Sequence, residues 1–409
     1  MALDPERFRD RQAQRIRRRQ ERAARAKKRN RLTLIGLGIV LLGGILALVL
    51  SLRGCQFEKK PVETTAPAPQ DLTVVHLAAA GDLNVTKKVV GAGTDFTNTF
   101  IDVASILAEA DLAAVNFEGG LYGAPYGEDA SAPEALPQAL KSAGVDLVQL
   151  ANSYTIYRGT AGLTATVRGM QAAGLTTLGA WTSAKAAKEA GGYTICEVKG
   201  IKIAFVSFTK GMDGMALPPG SEGSVNLLYT DYSTSYQQVD TEGITKILKA
   251  VEAEKPDLTV ALLHWGSEFN DTISASQTKI VELMQEKGVD AIIGTHSHYV
   301  QKMSFDPASG QFVAYSLGDF LGDADRAGSE YSVILDLEIT KNNTTGETKI
   351  TNYTYTPIFT VTENGVQRVV RINEAMLAYE QSFVGKVSDE VYAAMKYALT
   401  RIEARISGE

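Results

Sequence analysis

The chain has 409 residues, 44% hydrophobic and 22% charged, with 41 Lys/Arg against 47 Asp/Glu and only two cysteines. That composition belongs to a globular protein with room for one large domain or two ordinary ones, and it excludes a disulfide framework and a wholly disordered chain. The net charge of −6 is uneven: residues 1–31 carry 13 Lys/Arg and 4 Asp/Glu, which leaves +9 on that segment and −15 on the remainder.

A basic leader of this kind points to an acidic surface, and the apolar stretch that follows at once makes that surface a membrane rather than a nucleic acid. Residues 1–31 read as a cytoplasmic segment drawn to anionic headgroups. From Leu32 to Leu52, 21 positions pass without a charge between Arg31 and Arg53. A helix of that length spans about 30 Å, the thickness of a bilayer core, whereas a cleaved signal peptide has an apolar region of about 7–15 residues. The basic excess before the span predicts a single-pass cell-membrane protein with a cytoplasmic N-terminus and an extracytoplasmic main domain. The alternative is lipidation at Cys55, which follows Leu52-Arg53-Gly54; the arginine fits a lipoprotein cleavage site poorly. Residues 53–71 include Lys59-Lys60-Pro61 and Ala66-Pro67-Ala68-Pro69 and read as a proline-rich tether. The folded domain is expected over residues 72–409.

Within it, strand and helix signals alternate. Strands are expected at Thr73–Ala80, Leu112–Asn116, Val145–Leu150 and Thr176–Gly179, with helices at Phe100–Ala110, Pro133–Ala143 and Leu163–Ala173. Tyr193–Val198 and Lys202–Phe208 flank Lys199-Gly200 and predict a hairpin. Helix Ile244–Glu254, strand Leu258–Leu263, helix Ser276–Lys287 and strand Asp290–Ile293 follow. Phe312–Ser316, Tyr331–Ile339 and Thr348–Tyr355 have antiparallel character and suggest a second, mixed sheet, closed by helices at Glu374–Phe383 and Asp389–Ile406. The alternation argues for an α/β domain with helices on the sheet faces. Cys196 is expected as a small buried hydrophobe, and His76, inside the first strand, as buried or facing a helix.

The polar residues concentrate just after the strands. The first strand runs into Gly81-Asp82-Leu83-Asn84, the second into Asn116-Phe117-Glu118, the third into Ala151-Asn152-Ser153-Tyr154. Leu258–Leu263 delivers His264, and Asp290–Gly294 delivers His296 and His298. Open α/β sheets bind ligands outside the carboxyl ends of their strands. Carboxylates, amide oxygens and imidazoles are together the donor set of a hydrolytic metal centre. Singly, each residue has an ordinary reading: Asp82 as a turn or cap, Glu118 as a solvated carboxylate, His264 beside Trp265 as a core histidine. Their recurrence at five strand ends is what points to a site.

These segments resemble the poly-γ-glutamate capsule-biosynthesis (CapA/PgsA) family, whose domain is similar to the calcineurin-like metallophosphoesterase fold. The resemblance runs from about Val74 to Phe320. It rests on the segments above together with Gly159, Gly162-Leu163, Leu175-Thr176-Thr177-Leu178-Gly179-Ala180, His264-Trp265-Gly266-Ser267-Glu268-Phe269, Gly294-Thr295-His296-Ser297-His298 and Tyr315-Ser316-Leu317-Gly318-Asp319-Phe320. It implies a four-layer α/β/β/α sandwich of metallo-dependent phosphatase type. It also implies a divalent metal (Mn, Fe or Zn) on Asp82, Glu118, His264, His296 and His298. Asn84 would stand near a further ligand position, and Asn116, Asn152, Ser153, Glu268 and Asp319 would line the cleft. His264, His296 and Tyr154 would be the catalytic candidates.

Departures from the family pattern bear on chemistry. Where the family usually has Ala-Asn-Asn-His, this chain has Ala151-Asn152-Ser153-Tyr154, so a metal-ligating Asn and a phosphate-contacting or acid His are replaced. The family's next Asp falls on Tyr157, Thr295 replaces a frequent His, and Asp319 replaces the usual Asn. A tyrosine with a pKa near 10 suits general-acid work less well than an imidazole. Three functions are therefore expected to compete. One is an accessory protein for synthesis, export or surface attachment of an anionic polymer, poly-γ-glutamate by the resemblance, within a capsule-synthesis membrane complex. Another is a metal-dependent hydrolase of a cell-envelope phosphoester or of the polymer's amide bond, and the last a catalytically degenerate scaffold. The −15 balance of the body means that polyglutamate would need bound cations or a local basic patch to be held.

Overall fold

Apolar runs such as Leu258–His264, buried at every position, form strands that are covered on both faces. In the computed structural model, which describes residues 71–90, 95–363 and 365–408, these runs build two sheets. The basic segment, the expected membrane span at 32–52 and the tether up to residue 70 lie outside the described residues. Among the described residues, no helix is long and apolar enough to cross a membrane.

The strands in chain order are β1 (Leu72–Asn84), β2 (Leu112–Glu118), β3 (Leu147–Gln149), β4 (Thr176–Leu178), β5 (Thr194–Val198), β6 (Ile201–Thr209) and β7 (Leu258–His264). They continue with β8 (Ala291–Thr295), β9 (Met303–Asp306), β10 (Gln311–Ala314), β11 (Asp319–Leu321), β12 (Tyr331–Asn342), β13 (Thr348–Glu363) and β14 (Val366–Arg371). The first sheet has the order β14-β13-β12-β1-β2-β3-β4, with β11 also beside β1; the second has the order β5-β6-β7-β8-β10-β9. β1 to β4 run parallel, as do β6, β7, β8 and β10.

Three cores separate the layers. On one face of the first sheet, Ala78, Val115 and Val148 pack against Leu107, Leu140, Val167 and Met170 of the helices Ala104–Glu109, Ala135–Ser142 and Gly159–Ala172. On its other face Leu77, Leu112 and Leu147 meet Phe205, Val260, Ile293 and Phe312 of the second sheet. The outer face of that second sheet, including Val206, Leu263 and Ile292, is covered by Ile244, Leu248, Ile280 and Met284 from the helices Thr241–Ala253 and Ala275–Glu286. The layers are thus helix, sheet, sheet, helix. Each fully buried aliphatic or aromatic side chain contributes about 1.5–3 kcal/mol.

The hairpin at Lys199-Gly200 forms as expected, with both residues at positive φ (50° and 76°). The late hairpin does not build a second sheet. β12 returns antiparallel beside β1, so β12, β13 and β14 extend the first sheet; only β10, with β9, joins the second. The reason lies in the apolar face of β12: Val333, Leu335, Leu337 and Ile339 continue the inter-sheet core. The helix Asp389–Ser407 closes that core with Met395, Ala398 and Ile402.

This pairing also corrects His76. It is half-exposed, its Nδ1 2.9 Å from Asp336 Oδ1 on β12, because the register sets Ala78 opposite Asp336 and His76 two positions along. Cys196 is half-buried rather than buried, since β5 is an edge strand.

Candidate metal centre

The carboxyl ends of β1, β2, β7 and β8 converge between the sheets. The expected site residues do not all follow their strands; Asp82, Asn84, Asn116, Glu118 and His264 belong to the closing positions of the strands themselves. Nor do they share one sheet edge. Asp82, Glu118 and Asn152 come from the first sheet's side, and His264, His296 and His298 from the second's.

Two glycines make the convergence possible. A Cβ on Gly81 would lie 1.8 Å from the Gly318 carbonyl oxygen, and one on Gly294 would lie 2.0 Å from that of Tyr315. The backbone closeness is used at once: Asp82 N donates to Gly318 O at 3.0 Å. Beyond Thr295 the chain is strained, with His296 at φ 88° and His298 at φ 59°. Non-glycine residues held there cost about 1–3 kcal/mol each and gather at functional sites. Buried Trp265 braces the next loop, its Nε1 donating to Tyr315 O at 2.8 Å.

Asn116 is the hub. Its Nδ2 donates to Asp82 Oδ1 at 2.6 Å and to Glu118 Oε1 at 3.0 Å, and lies 3.4 Å from His264 Nδ1. Its Oδ1 accepts from Asn152 Nδ2 at 3.0 Å, and that nitrogen also donates to Phe117 O at 2.7 Å. The other Asp82 oxygen accepts the backbone N–H of His296 at 2.8 Å. Glu118 Oε1 is 3.1 Å from His264 Nδ1. His298 Nδ1 is 2.7 Å from Asp319 Oδ1, which also accepts from Asn84 Nδ2 at 3.0 Å.

Two groups of ligand atoms result, Glu118–His264–His296 and Asp82–His298–Asp319, with the atoms in each within 4.8 Å of one another and all six residues buried. The resemblance had implied Asp82, Glu118, His264, His296 and His298; Asp319, placed in the cleft, joins them as a donor. The fit to a cation is electrostatic as well as geometric. Burial holds His264 well below 6.5, helped by His296, His298 and Lys210, and holds His296 well below 6.5 with Lys210 and His298. Both imidazoles are therefore neutral and keep a lone pair for a metal. Burial also pushes Asp82 up to about 6 and, with the charge of Asp82, pushes Glu118 well above 4.5. With His264 neutral, the Glu118–His264 contact is a hydrogen bond and not an ion pair. His298 is the exception: burial pulls it down, but Asp319, Glu118 and Asp82 together raise it to about 10. His296 Nδ1 is buried with no hydrogen-bond partner among the described residues. Orphaned nitrogen, neutral imidazoles and clustered acids are the donor set a divalent ion takes up, displacing protons.

The substituted positions have definite places. Ser153 Oγ lies 3.1 Å from His264 Nε2, so a hydroxyl contacts the imidazole where the family's Asn would stand. Thr295 Oγ1 is 3.5 Å from His264 Nδ1. Tyr154 is half-buried, its backbone N–H fixed by Asn152 Oδ1 at 3.0 Å; burial, with Glu118 and Glu268, raises its hydroxyl above 10. Tyr154, Glu268, Phe269, Asn84, His298 and Asp319 share the lining of a cleft of about 320 Å³ that opens beside the centre. Phe269 stacks on His298 with ring centroids 4.7 Å apart, and the Arg326 guanidinium packs on the Phe269 ring at 4.2 Å. Tyr157 is exposed and tilted against Tyr154.

One residue of the site escaped the sequence reading. Lys210 directly follows β6, its N–H donating to His264 O at 2.8 Å, and its Nζ reaches 3.4 Å from His296 Nε2. The rule that found His264 at the end of β7 would have found it, had lysines been counted at strand ends.

Residues 76–324, which include every residue of this centre, match the family model described as "Bacterial capsule synthesis protein PGA_cap". The chain belongs to this bacterial capsule-synthesis family. It is 27% identical over 262 residues to "Capsule biosynthesis protein CapA" of Bacillus anthracis, a match covering 62% of this chain and 60% of that protein. It is 25% identical over 209 residues to "PGA biosynthesis protein CapA" of Bacillus subtilis (strain 168), covering 51% of this chain and 50% of that one. The matched region thus falls short of two thirds of the length of either relative. Among solved structures the chain is similar to calcineurin-like phosphoesterase YfkN of Bacillus subtilis, with 14% identity, a TM-score of 0.44, and 81% of this chain and 99% of that one covered. A 5'-nucleotidase precursor from Thermus thermophilus has 13% identity and a TM-score of 0.43, with 76% of this chain and 59% of that one covered.

Proposed function

We propose that the chain is a membrane-anchored capsule-biosynthesis protein that engages an anionic capsule polymer, poly-γ-glutamate, at a divalent-metal centre during synthesis, export or surface attachment. Residues 32–52 would be the anchor, and the domain would work on the outer face of the membrane beside other capsule-synthesis proteins. The observation that carries the reading is the pair of buried ligand groups, with His296 Nδ1 left without a hydrogen-bond partner among the described residues. It also answers the charge problem: an acidic body holds a polyanion only through bound cations or a local basic patch.

Asp82, Glu118, His264, His296 and His298 would hold Mn, Fe or Zn, with Asp319 beside them. When bound, such an ion polarises a phosphoryl or acyl oxygen and lowers the pKa of water. The protein's own groups do the rest. Asn116 and Asn152 hold the acids in register, Phe269 fixes the plane of His298, and Tyr154 lines the cleft with a hydroxyl that stays protonated and would be free to donate to a ligand. That donor favours a second reading, a hydrolase acting on a phosphoester or on the polymer's amide bond, with Tyr154 in the place of the missing histidine.

Metal analysis of the detergent-purified full chain tests the proposal. Stoichiometric Mn, Fe or Zn, lost in a His296→Ala/His298→Ala variant that still melts cooperatively, is the expected result. A wild-type chain that takes up none of these ions would leave only a scaffold.

A further inference from the structure

Lys210 is a charged side chain beside the centre that the metal-ligand set does not use. Its Nζ donates to a single neutral carbonyl, Gly266 O at 2.8 Å, and otherwise meets His296 Nε2 at 3.4 Å and the face of the Tyr236 ring at 4.8 Å. Among the described residues no carboxylate pairs with it; Glu268 and Asp213 act on it only from farther away. Nine other lysines of the described domain do have such partners, for example Lys199 with Asp111 at 2.8 Å and Lys341 with Asp257 at 2.9 Å. A half-buried ammonium with one strong hydrogen bond has two donors still to satisfy. Withdrawing a cation from water without a counter-charge is costly, and an anion offsets that cost through charge-assisted hydrogen bonds.

The backbone explains why it stands there. Thr209 pairs with His264 across the parallel β6–β7 ladder, so the residue after β6 reaches the same end of the sheet as the imidazoles. Lys210 also opens the long segment between β6 and the helix Thr241–Ala253, and Tyr236 of that segment folds back over it. Loops of that length without regular elements are uncommon unless they bind or cover something.

We propose that Lys210 is the anion-binding residue of this centre, its ammonium holding the carboxylate or phosphoryl oxygens of the ligand next to His296. This rests on the reading of the centre as a ligand-binding site, and deepens it by assigning the counter-charge of the ligand to a named side chain. The shared chemistry is an oxyanion; a polymer carboxylate and a phosphate are its two sources.

Full-length chain in detergent, loaded with Mn²⁺ and also metal-free, is titrated by calorimetry with a γ-linked glutamate oligomer and, separately, with inorganic phosphate. The wild type, Lys210→Met and Lys210→Arg are compared, and Mn²⁺ affinity is measured for each. We expect Lys210→Met to weaken binding of one of the two anions at least tenfold while Mn²⁺ binds as well as in the wild type or better, since a cation beside His296 is gone. Lys210→Arg should restore part of the loss, which a merely structural role would not do. The anion that responds names the source. Equal anion binding in wild type and Lys210→Met, or no binding of either anion to a wild type that takes up Mn²⁺, overturns the proposal and leaves the metal centre standing. Loss of anion binding in Lys210→Met in a chain that never takes up metal supports Lys210 and overturns the metal reading instead.

Discussion

Both ends of the parallel strands carry acids, and they are used in opposite ways. At the amino ends, Asp111, Asp146, Asp257 and Asp290 each stand immediately before a strand and accept a backbone N–H from the strand beside it. The donors are His76, Ala113, Lys202 and Thr259, at 2.9, 3.1, 2.7 and 2.8 Å. Three of these acids also meet a lysine, at 2.7–2.9 Å. At the carboxyl ends, Asp82 and Glu118 share the amide of Asn116, Asp319 at the start of β11 beside Asp82 accepts from Asn84 and meets His298, and Asp82 alone of the three receives a backbone N–H. The same residue types therefore lock strand register at one end and leave ligand atoms free at the other. What differs is the set of partners: at the amino ends a backbone amide, and in three cases a lysine, saturates each carboxylate, whereas at the carboxyl ends the carboxylates are gathered among imidazole nitrogens that can share a cation with them.

The comparison can be broken most forcefully at the carboxyl ends. Glu118→Gln should lower affinity for Mn²⁺ at least about 100-fold, since even residues behind the ligands are typically worth 10–100-fold. Competition titration against a chelating dye reads this; an unchanged affinity would remove Glu118 from the centre. Asn116→Ala, which frees Asp82 and Glu118 from their common donor, should cost about 10–100-fold in the same assay. A loss no greater than that of a surface variant would show the hub to be dispensable.

Acidity sharpens the contrast further. Asp82 is raised from 3.8 to about 6, so in the metal-free protein the stability it contributes is fully present below 3.8 and is lost as pH rises through about 6. Metal binding has the opposite sign, because the ion must displace that proton. Affinity should rise with pH throughout, and most steeply below about 6, where the ion must displace the proton of Asp82 as well as that of His298, which is raised to about 10. Binding isotherms between about pH 5 and pH 8 in two buffers of different ionisation enthalpy measure both the slope and the protons released. A flat profile would place the ion away from Asp82.

The smallest effect on the centre is expected from the amino ends. Asp290→Ala leaves the Thr259 N–H without its acceptor and should cost about 1–3 kcal/mol in denaturant unfolding, with metal affinity unchanged. Loss of metal in that variant would mean that the two ends are not separable.

The amino-end acids can be read in the chain as Asp followed by an apolar run, and the carboxyl-end residues as the polar clusters closing those same runs. The helices over Ala135–Ser142, Gly159–Ala172 and Ala275–Glu286 follow from apolar spacing, the last with Ser274 and Gln277 forming a capping box. β12 was legible as a strand but not as a neighbour of β1, and His76 was misplaced for that reason. Lys210 was missed because a lysine after a strand carries no signal of its own; its meaning comes from the histidine that the ladder sets beside it.

By itself the sequence determined the alternation of elements, the chemistry at each strand end and the family. All of these depend on hydrophobic period, turn residues and side-chain type over a few positions. Only the tertiary structure decided which strands share a sheet, that acids and imidazoles come from different sheets, and that Asn116 joins Asp82, Glu118 and His264. Asp82 and His296 are 214 positions apart, yet one oxygen of the first accepts the backbone N–H of the second. What brings them together is the apolar core between the two sheets, a driving force proportional to buried area that no local pattern encodes.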